Sequence, residues 1–303
     1  MRYVCHVGVH KTGTSLLQEN LKKNVGRLRQ KGIFYVNVED RETIKAQMWM
    51  IRKIGQTQRL PGLGVLAETN EKMRKKAAAA GAHTILLSHE DRIGYAPYAN
   101  FRFGRQTTRF YEHAGPCLRR IFHGFAEDEQ CVLLYSRRQS TLIPSLYSEG
   151  LRNLACPFGL EEFFDRCEKQ TFQFSDLVRR IVEKNPQADL RMRRFETIKL
   201  DVRAFIQNFL TDVGIDPFGL DLVTETVRPS FDQAQAEELV TLSQRRLSNQ
   251  IDAKDAQMQL RAIASRSPDR ANPIRVSEHV LSGCRALEAT DQFEWPIGET
   301  ERP

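Results

Sequence analysis

Cysteine is scarce and unpatterned in this chain: Cys5, Cys117, Cys131, Cys156, Cys167 and Cys284, with no C-x-x-C pair among them. A disulfide framework or a thiolate zinc site needs closer or repeated spacing, so free thiols and no metal centre are expected. Long apolar runs are missing too. None approaches the ~20 residues that span a bilayer, and Met1 leads directly into an apolar strand with no room for a cleavable leader. A reducing, cytoplasmic setting is the expectation. Blocks of one charge sign are absent as well. The 45 Lys and Arg exceed the 38 Asp and Glu by a net +7, but they are dispersed, and no zinc-finger, bZIP or RNP-like pattern occurs. This excess suits an anionic ligand and does not call for nucleic acid as a partner. Internal repeats and low-complexity tracts are also lacking. The 303 residues, 41% hydrophobic and 27% charged, fit one large α/β domain or two small ones.

Short apolar runs at 3–8, 33–36, 84–87 and 131–135 are each read as a strand, and Leu190-Arg191-Met192-Arg193-Arg194-Phe195 is read as a further one. Helical patterns lie between and after them, at 14–30, 43–54, 65–80, 115–126, 159–169, 174–184, 199–213, 232–248 and 254–265. One more helix follows Arg137-Arg138, with Thr141 as its cap and Pro144 in its first turn. Strands alternating with helices imply a parallel sheet covered by helices. Residues 1–265 form the expected α/β domain. Residues 266–303 form an extension, with 290–303 weakly ordered. Between 94 and 113, aromatic residues (Tyr95, Tyr98, Phe101, Phe103, Phe110, Tyr111) interleave with arginines. That stretch is either a lid over an anionic or sugar-like acceptor or a loop pinned to the core by its rings.

The functional signal sits at the start. Tyr3-Val4-Cys5-His6-Val7 runs into Gly8-Val9-His10-Lys11-Thr12-Gly13-Thr14-Ser15-Leu16, after which an amphipathic helix opens. Strand, glycine-bounded turn and helix N-terminus is the order in which backbone N–H groups converge on an anion. Gly8 and Gly13 have the spacing of G-x-x-x-x-G-K-[ST], yet Thr14 stands in the lysine position and the turn's lysine is Lys11. A second pattern lies downstream: Arg137 at the end of the 131–135 strand and Ser145 eight residues later, then Tyr147. A forked guanidinium and a hydroxyl suit a phosphate dianion.

The segment His10-Lys11-Thr12-Gly13-Thr14-Ser15-Leu16-Leu17-Gln18 resembles the 5′-phosphosulfate loop of sulfotransferases, which use 3′-phosphoadenosine 5′-phosphosulfate (PAPS) as donor. The Arg137/Ser145 pair resembles the 3′-phosphate grip of the same superfamily, and the likeness to bacterial-type members spans roughly residues 3–230. Val213-Gly214-Ile215-Asp216 and Arg228-Pro229-Ser230 echo it loosely. The chain departs from the pattern at Leu16, where some members carry tryptophan, and it lacks the R-K-G type loop of the cytosolic branch.

The resemblance implies a P-loop-type three-layer α/β fold with a central parallel sheet. It also implies sulfuryl transfer to a hydroxyl, with a carbohydrate or glycan as the favoured small-molecule acceptor. Residues His10 to Leu16 together with Arg137 and Ser145 would hold the donor, and Arg138 replaces Arg137 if the register slips by one. Lys11 would meet the charge developing on the bridging oxygen. Glu90 in Ser88-His89-Glu90 would serve as general base, with His89 as the alternative. No divalent metal is required. Two other readings stay open, a kinase of small hydroxyl compounds and a non-catalytic nucleotide-binding protein. The missing lysine after Gly13 and the lack of a downstream magnesium aspartate count against the kinase.

Overall fold

The five strands are β1 (Arg2–His6), β2 (Ile33–Tyr35), β3 (Thr84–Ser88), β4 (Glu129–Ser136) and β5 (Asp189–Arg194). All pair in parallel, in the order β2-β3-β1-β4-β5, in a computed structural model that describes residues 1–125, 129–225 and 231–291. The three central strands β1, β3 and β4 are buried on both faces, as parallel sheets require, while the arginine-rich edge strand β5 is half-buried. Side-chain alternation divides the strands between two cores. Tyr3, Cys5, Ile85, Leu87, Val132 and Leu134 enter the larger one, while Val4, Leu86, Cys131, Leu133 and Tyr135 enter the smaller. The smaller core is closed by Leu16, Leu17 and Leu21 of the helix Thr14–Lys23 and by Phe205, Ile206 and Phe209 of the helix Val202–Asp212. The other long helices cover the opposite face. The parallel sheet expected from the strand–helix alternation, and the three-layer α/β class that the resemblance implied, are both observed.

Several expected boundaries change, each for a local reason. The 14–30 helix is two helices, Thr14–Lys23 and Val25–Gln30. Asn24 at the break donates to Asn20 O and Asp221 O, both at 2.9 Å, so its side chain competes with the helical ladder. The helix after β4 begins at Gln139, before Thr141, and runs to Arg152 with Pro144 past its first turn. Carboxylates from elsewhere take over the capping. Glu196 accepts from Arg138 N–H (2.7 Å), and Glu288 accepts from Ser140 N–H (2.7 Å). The 159–169 helix stops at Asp165, and a separate 3₁₀ turn covers Lys169–Phe172.

The 94–113 stretch is pinned, with Tyr98, Phe101, Phe110 and Tyr111 all buried in the larger core. Within 266–303, the helix Glu278–Thr290 packs on Gln139–Arg152 through buried Val280, Cys284 and Leu287. The expected weakly ordered stretch lies outside the described residues from 292 onward, as does Arg228-Pro229-Ser230.

Candidate functional site

The strand order reverses at β1, between β3 and β4. The segments leaving these three carboxyl ends share one edge of the sheet, the edge at which open α/β sheets place their ligands. After His6, the chain turns through Lys11 (φ 72°) and Gly13 (φ 78°), both left-handed, and enters the helix at Thr14. Glycine accepts this conformation freely, whereas lysine does so at about 1–2 kcal/mol. Arg137 holds it in place by donating from Nη1 to the Lys11 carbonyl at 2.7 Å. At Gly8 the need is for space. A Cβ there would lie 2.8 Å from Thr12 Oγ1, 3.0 Å from His6 Nε2 and 3.1 Å from Thr14 Oγ1.

Thr12 braces the turn by donating to Val9 O at 2.6 Å. Thr14 Oγ1 is buried and finds no partner among the described residues. The first helical bond is Leu17 N–H to Gly13 O at 3.2 Å, so the amides of Thr14, Ser15 and Leu16 at the helix start are unspent donors among the described residues. Beneath them, burial pushes His6 down to about 3 and keeps it neutral.

From β4, Arg137 donates to Thr141 Oγ1 (3.1 Å) and Ser145 Oγ (3.3 Å), and its guanidinium lies 4.9 Å from the Phe195 ring centroid. Burial pushes Arg137 down to about 10, with Glu196 opposing. Arg138 is exposed, so Arg137 is the arginine that turns toward the loop. One turn beyond Ser145, Glu149 Oε2 lies 3.4 Å from Lys11 Nζ and 3.8 Å from Arg152 Nε. Burial lowers the Lys11 pKa and Glu149 works against that shift.

From β3, Glu90 is tied to the loop's helix by Gln18, whose amide donates to Ser88 O (2.9 Å) and Glu90 Oε2 (3.3 Å). His89 Nδ1 accepts from Asp91 N–H at 3.3 Å, which leaves the proton of the neutral ring on Nε2. Burial, then Arg92, push His89 down. His10 has no polar group left except its carbonyl. Its backbone N–H donates to Tyr111 OH (2.7 Å), its Nδ1 pairs with the same hydroxyl (2.6 Å), and its Nε2 faces Asp91 Oδ1 (3.1 Å). Burial opposes charge on His10, but Asp91 outweighs it and the pKa rises.

Lys11, Thr12, Gly13, Thr14, Ser15, Arg137 and Ser145 therefore share one cluster, with Glu90 and His89 beside it. Leu16 contributes only its amide, since its side chain is buried in the smaller core. His10 acts as a brace for the loop. Sequence reasoning missed Glu149, Arg152, Gln18, Asp91 and Tyr111. Glu149 was findable, because it is four residues from Ser145 on the same helix face. Tyr111, 101 positions from His10, has no local signal.

A cavity of about 440 Å³ lies elsewhere, lined by Tyr147, Leu160, Ala236, Glu237, Val240 and Arg275 among others, with no residue of the Gly8–Ser15 turn in its wall. Among the described residues, no group of three or more His, Cys, Asp or Glu is arranged to hold a metal ion, and no helix is long and apolar enough to cross a membrane.

Comparison with protein-family models and with curated proteins finds no match for this chain. A similar solved structure is a sulfotransferase from Alicyclobacillus acidocaldarius. It is 13% identical, covers 85% of this chain and 99% of its own, and has a TM-score of 0.43.

Proposed function

We propose that this protein is a sulfotransferase that moves a sulfuryl group from PAPS to a hydroxyl, with a carbohydrate or glycan as acceptor. The observation that carries the reading is the contact between the Gly8–Ser15 turn and the Arg137/Ser145 pair. Arg137 bonds Lys11 O and Ser145 Oγ together, although Lys11 and Arg137 are 126 positions apart. A doubly phosphorylated adenosine is a ligand with two anionic ends for two such grips. The turn fits a phosphate on two counts, the unspent amides at a helix start and a buried Thr14 hydroxyl without a partner among the described residues.

In this reading, the amides of Thr12 to Leu16 with the Thr14 and Ser15 hydroxyls hold the 5′-phosphate. Arg137 and Ser145 hold the 3′-phosphate. Lys11 meets negative charge on the leaving phosphate oxygen. Glu90 takes the acceptor proton, because the neutral His89 ring presents an N–H at Nε2 and not a lone pair. The carbohydrate acceptor rests on the motif resemblance to bacterial-type sulfotransferases. A cytoplasmic location accords with six buried, free cysteines.

Calorimetry with 3′-phosphoadenosine 5′-phosphate (PAP) and with ATP–Mg²⁺ tests the donor. The expected result is binding of PAP and not of ATP–Mg²⁺, and the reverse would establish the kinase reading. Labelled PAPS with a panel of hydroxyl acceptors tests the reaction. Tight PAP binding with transfer to none of them would make the protein a non-catalytic binder.

A further inference from the structure

We infer that Glu149 is a positioning residue for Lys11: its carboxylate holds the ammonium in the donor-free protein, and donor binding exchanges that carboxylate for the donor's anion. The inference rests on the donor reading above and adds a residue that the loop motif does not contain. Lys11 is gripped at two points from the same neighbouring segment. Arg137 bonds its carbonyl at 2.7 Å, and Glu149 faces its Nζ at 3.4 Å. The strained left-handed backbone at Lys11 (φ 72°) is therefore fixed, while the four-carbon side chain is held only at its tip.

The pair is partly shielded, with side-chain exposures of 27% for Lys11 and 14% for Glu149, so water does not erase the attraction. Lys11 also faces Arg137 and Arg152, and Glu149 faces His10 and Tyr98.

The exchange leaves no charge stranded. Glu149 Oε2 keeps Arg152 Nε at 3.8 Å, and Glu149 Oε1 accepts from Asn153 Nδ2 at 3.3 Å. Arg152 is itself seated 4.3 Å from the Phe231 ring centroid. When Lys11 leaves, the carboxylate retains a cation and a hydrogen bond, so the penalty of an uncompensated buried charge does not arise. A phosphosulfate carries more negative charge than one carboxylate, which sets the direction of the exchange.

The test is a double-mutant cycle on PAP affinity. Glu149→Gln is expected to tighten PAP binding about fivefold, because the competing carboxylate is gone. In a Lys11→Met background the same change is expected to have no effect. Equal tightening in both backgrounds would make Glu149 a mere repulsive charge and overturn the inference. Weaker PAP binding in Glu149→Gln would overturn it too.

A second readout needs no nucleotide: the pH dependence of Lys11 modification by an amine reagent, followed by peptide mass spectrometry. Glu149→Gln is expected to move the Lys11 profile to lower pH, since burial and two arginines then act unopposed. An unmoved profile refutes the ion pair. If wild-type protein fails to bind PAP while the profile still shifts, the donor reading falls and Glu149 remains the residue that sets Lys11.

Discussion

Lys11 and Arg137 touch, yet their substitutions separate by what they lose. Under the proposed function, Lys11→Ala is expected to lower sulfuryl transfer by about 10²–10³ with an unchanged melting temperature, because a cation at the developing charge acts mainly in the transition state. Arg137→Ala is expected to act first on PAP affinity, and Arg138→Ala to leave that affinity intact, since Arg138 is exposed. Calorimetry on the two arginine variants checks the register directly. A pH signature belongs to His10 and Asp91. The His10 pKa is raised, so the stability it supplies is complete below the ordinary imidazole value of about 6.5 and is lost as pH rises through the higher folded value. The Asp91 pKa is lowered, its burial outweighed by His10, so its share is present above the ordinary carboxylate value and is lost as pH falls through the folded one. Asp91→Asn is therefore expected to remove both pH-dependent losses, the fall in stability from about pH 6.5 upward and the one below the ordinary carboxylate value. Urea melts across pH, with the wild type as reference, measure this.

At the level of elements, the helix Gln139–Arg152 matters most, because it carries Ser145, Glu149 and Arg152 on the face that meets the loop. Its own N-terminal residues supply no side-chain cap, and Pro144 withdraws one backbone donor. The start of the helix instead depends on Glu288 from the last described helix, which accepts from both Ser140 N–H (2.7 Å) and Ser140 Oγ (2.6 Å). Glu288→Ala is expected to cost about 1–2 kcal/mol and to lower the melting temperature by a few degrees, read by calorimetric scanning. The expected Thr141 cap illustrates how far local sequence reaches. A threonine ahead of an apolar run is a sound cap signal, but the carboxylates that do the capping come from residues 196 and 288. The Thr141 hydroxyl accepts from Arg137 instead.

For the whole molecule, the helix Glu278–Thr290 and Asp291 after it are tied into the scaffold. Asp291 accepts from Phe174 N–H (2.7 Å) and Ser175 N–H (2.9 Å), so the last described residue caps a second helix. A chain ending at 265 is expected to lose PAP binding and to melt markedly lower than the full chain, as followed by circular dichroism. A truncated chain with the full melting temperature would show that residues 266–303 are dispensable. What the amino-acid order determined by itself was local. It set four apolar runs and one arginine-rich run short enough to be strands, the glycine-bounded turn ahead of an amphipathic helix, and an arginine eight residues before a serine, because these depend on periodicity and on backbone freedom at single positions. Tertiary structure alone decided which partners fill the remaining valences. Tyr111 on His10, Glu149 on Lys11, Gln18 on Glu90 and the distant carboxylates on Ser140 meet only once the parallel sheet has placed three strand ends side by side. Side-chain hydrogen bonds and ion pairs act over a few ångströms in space, and separation along the chain does not encode that distance.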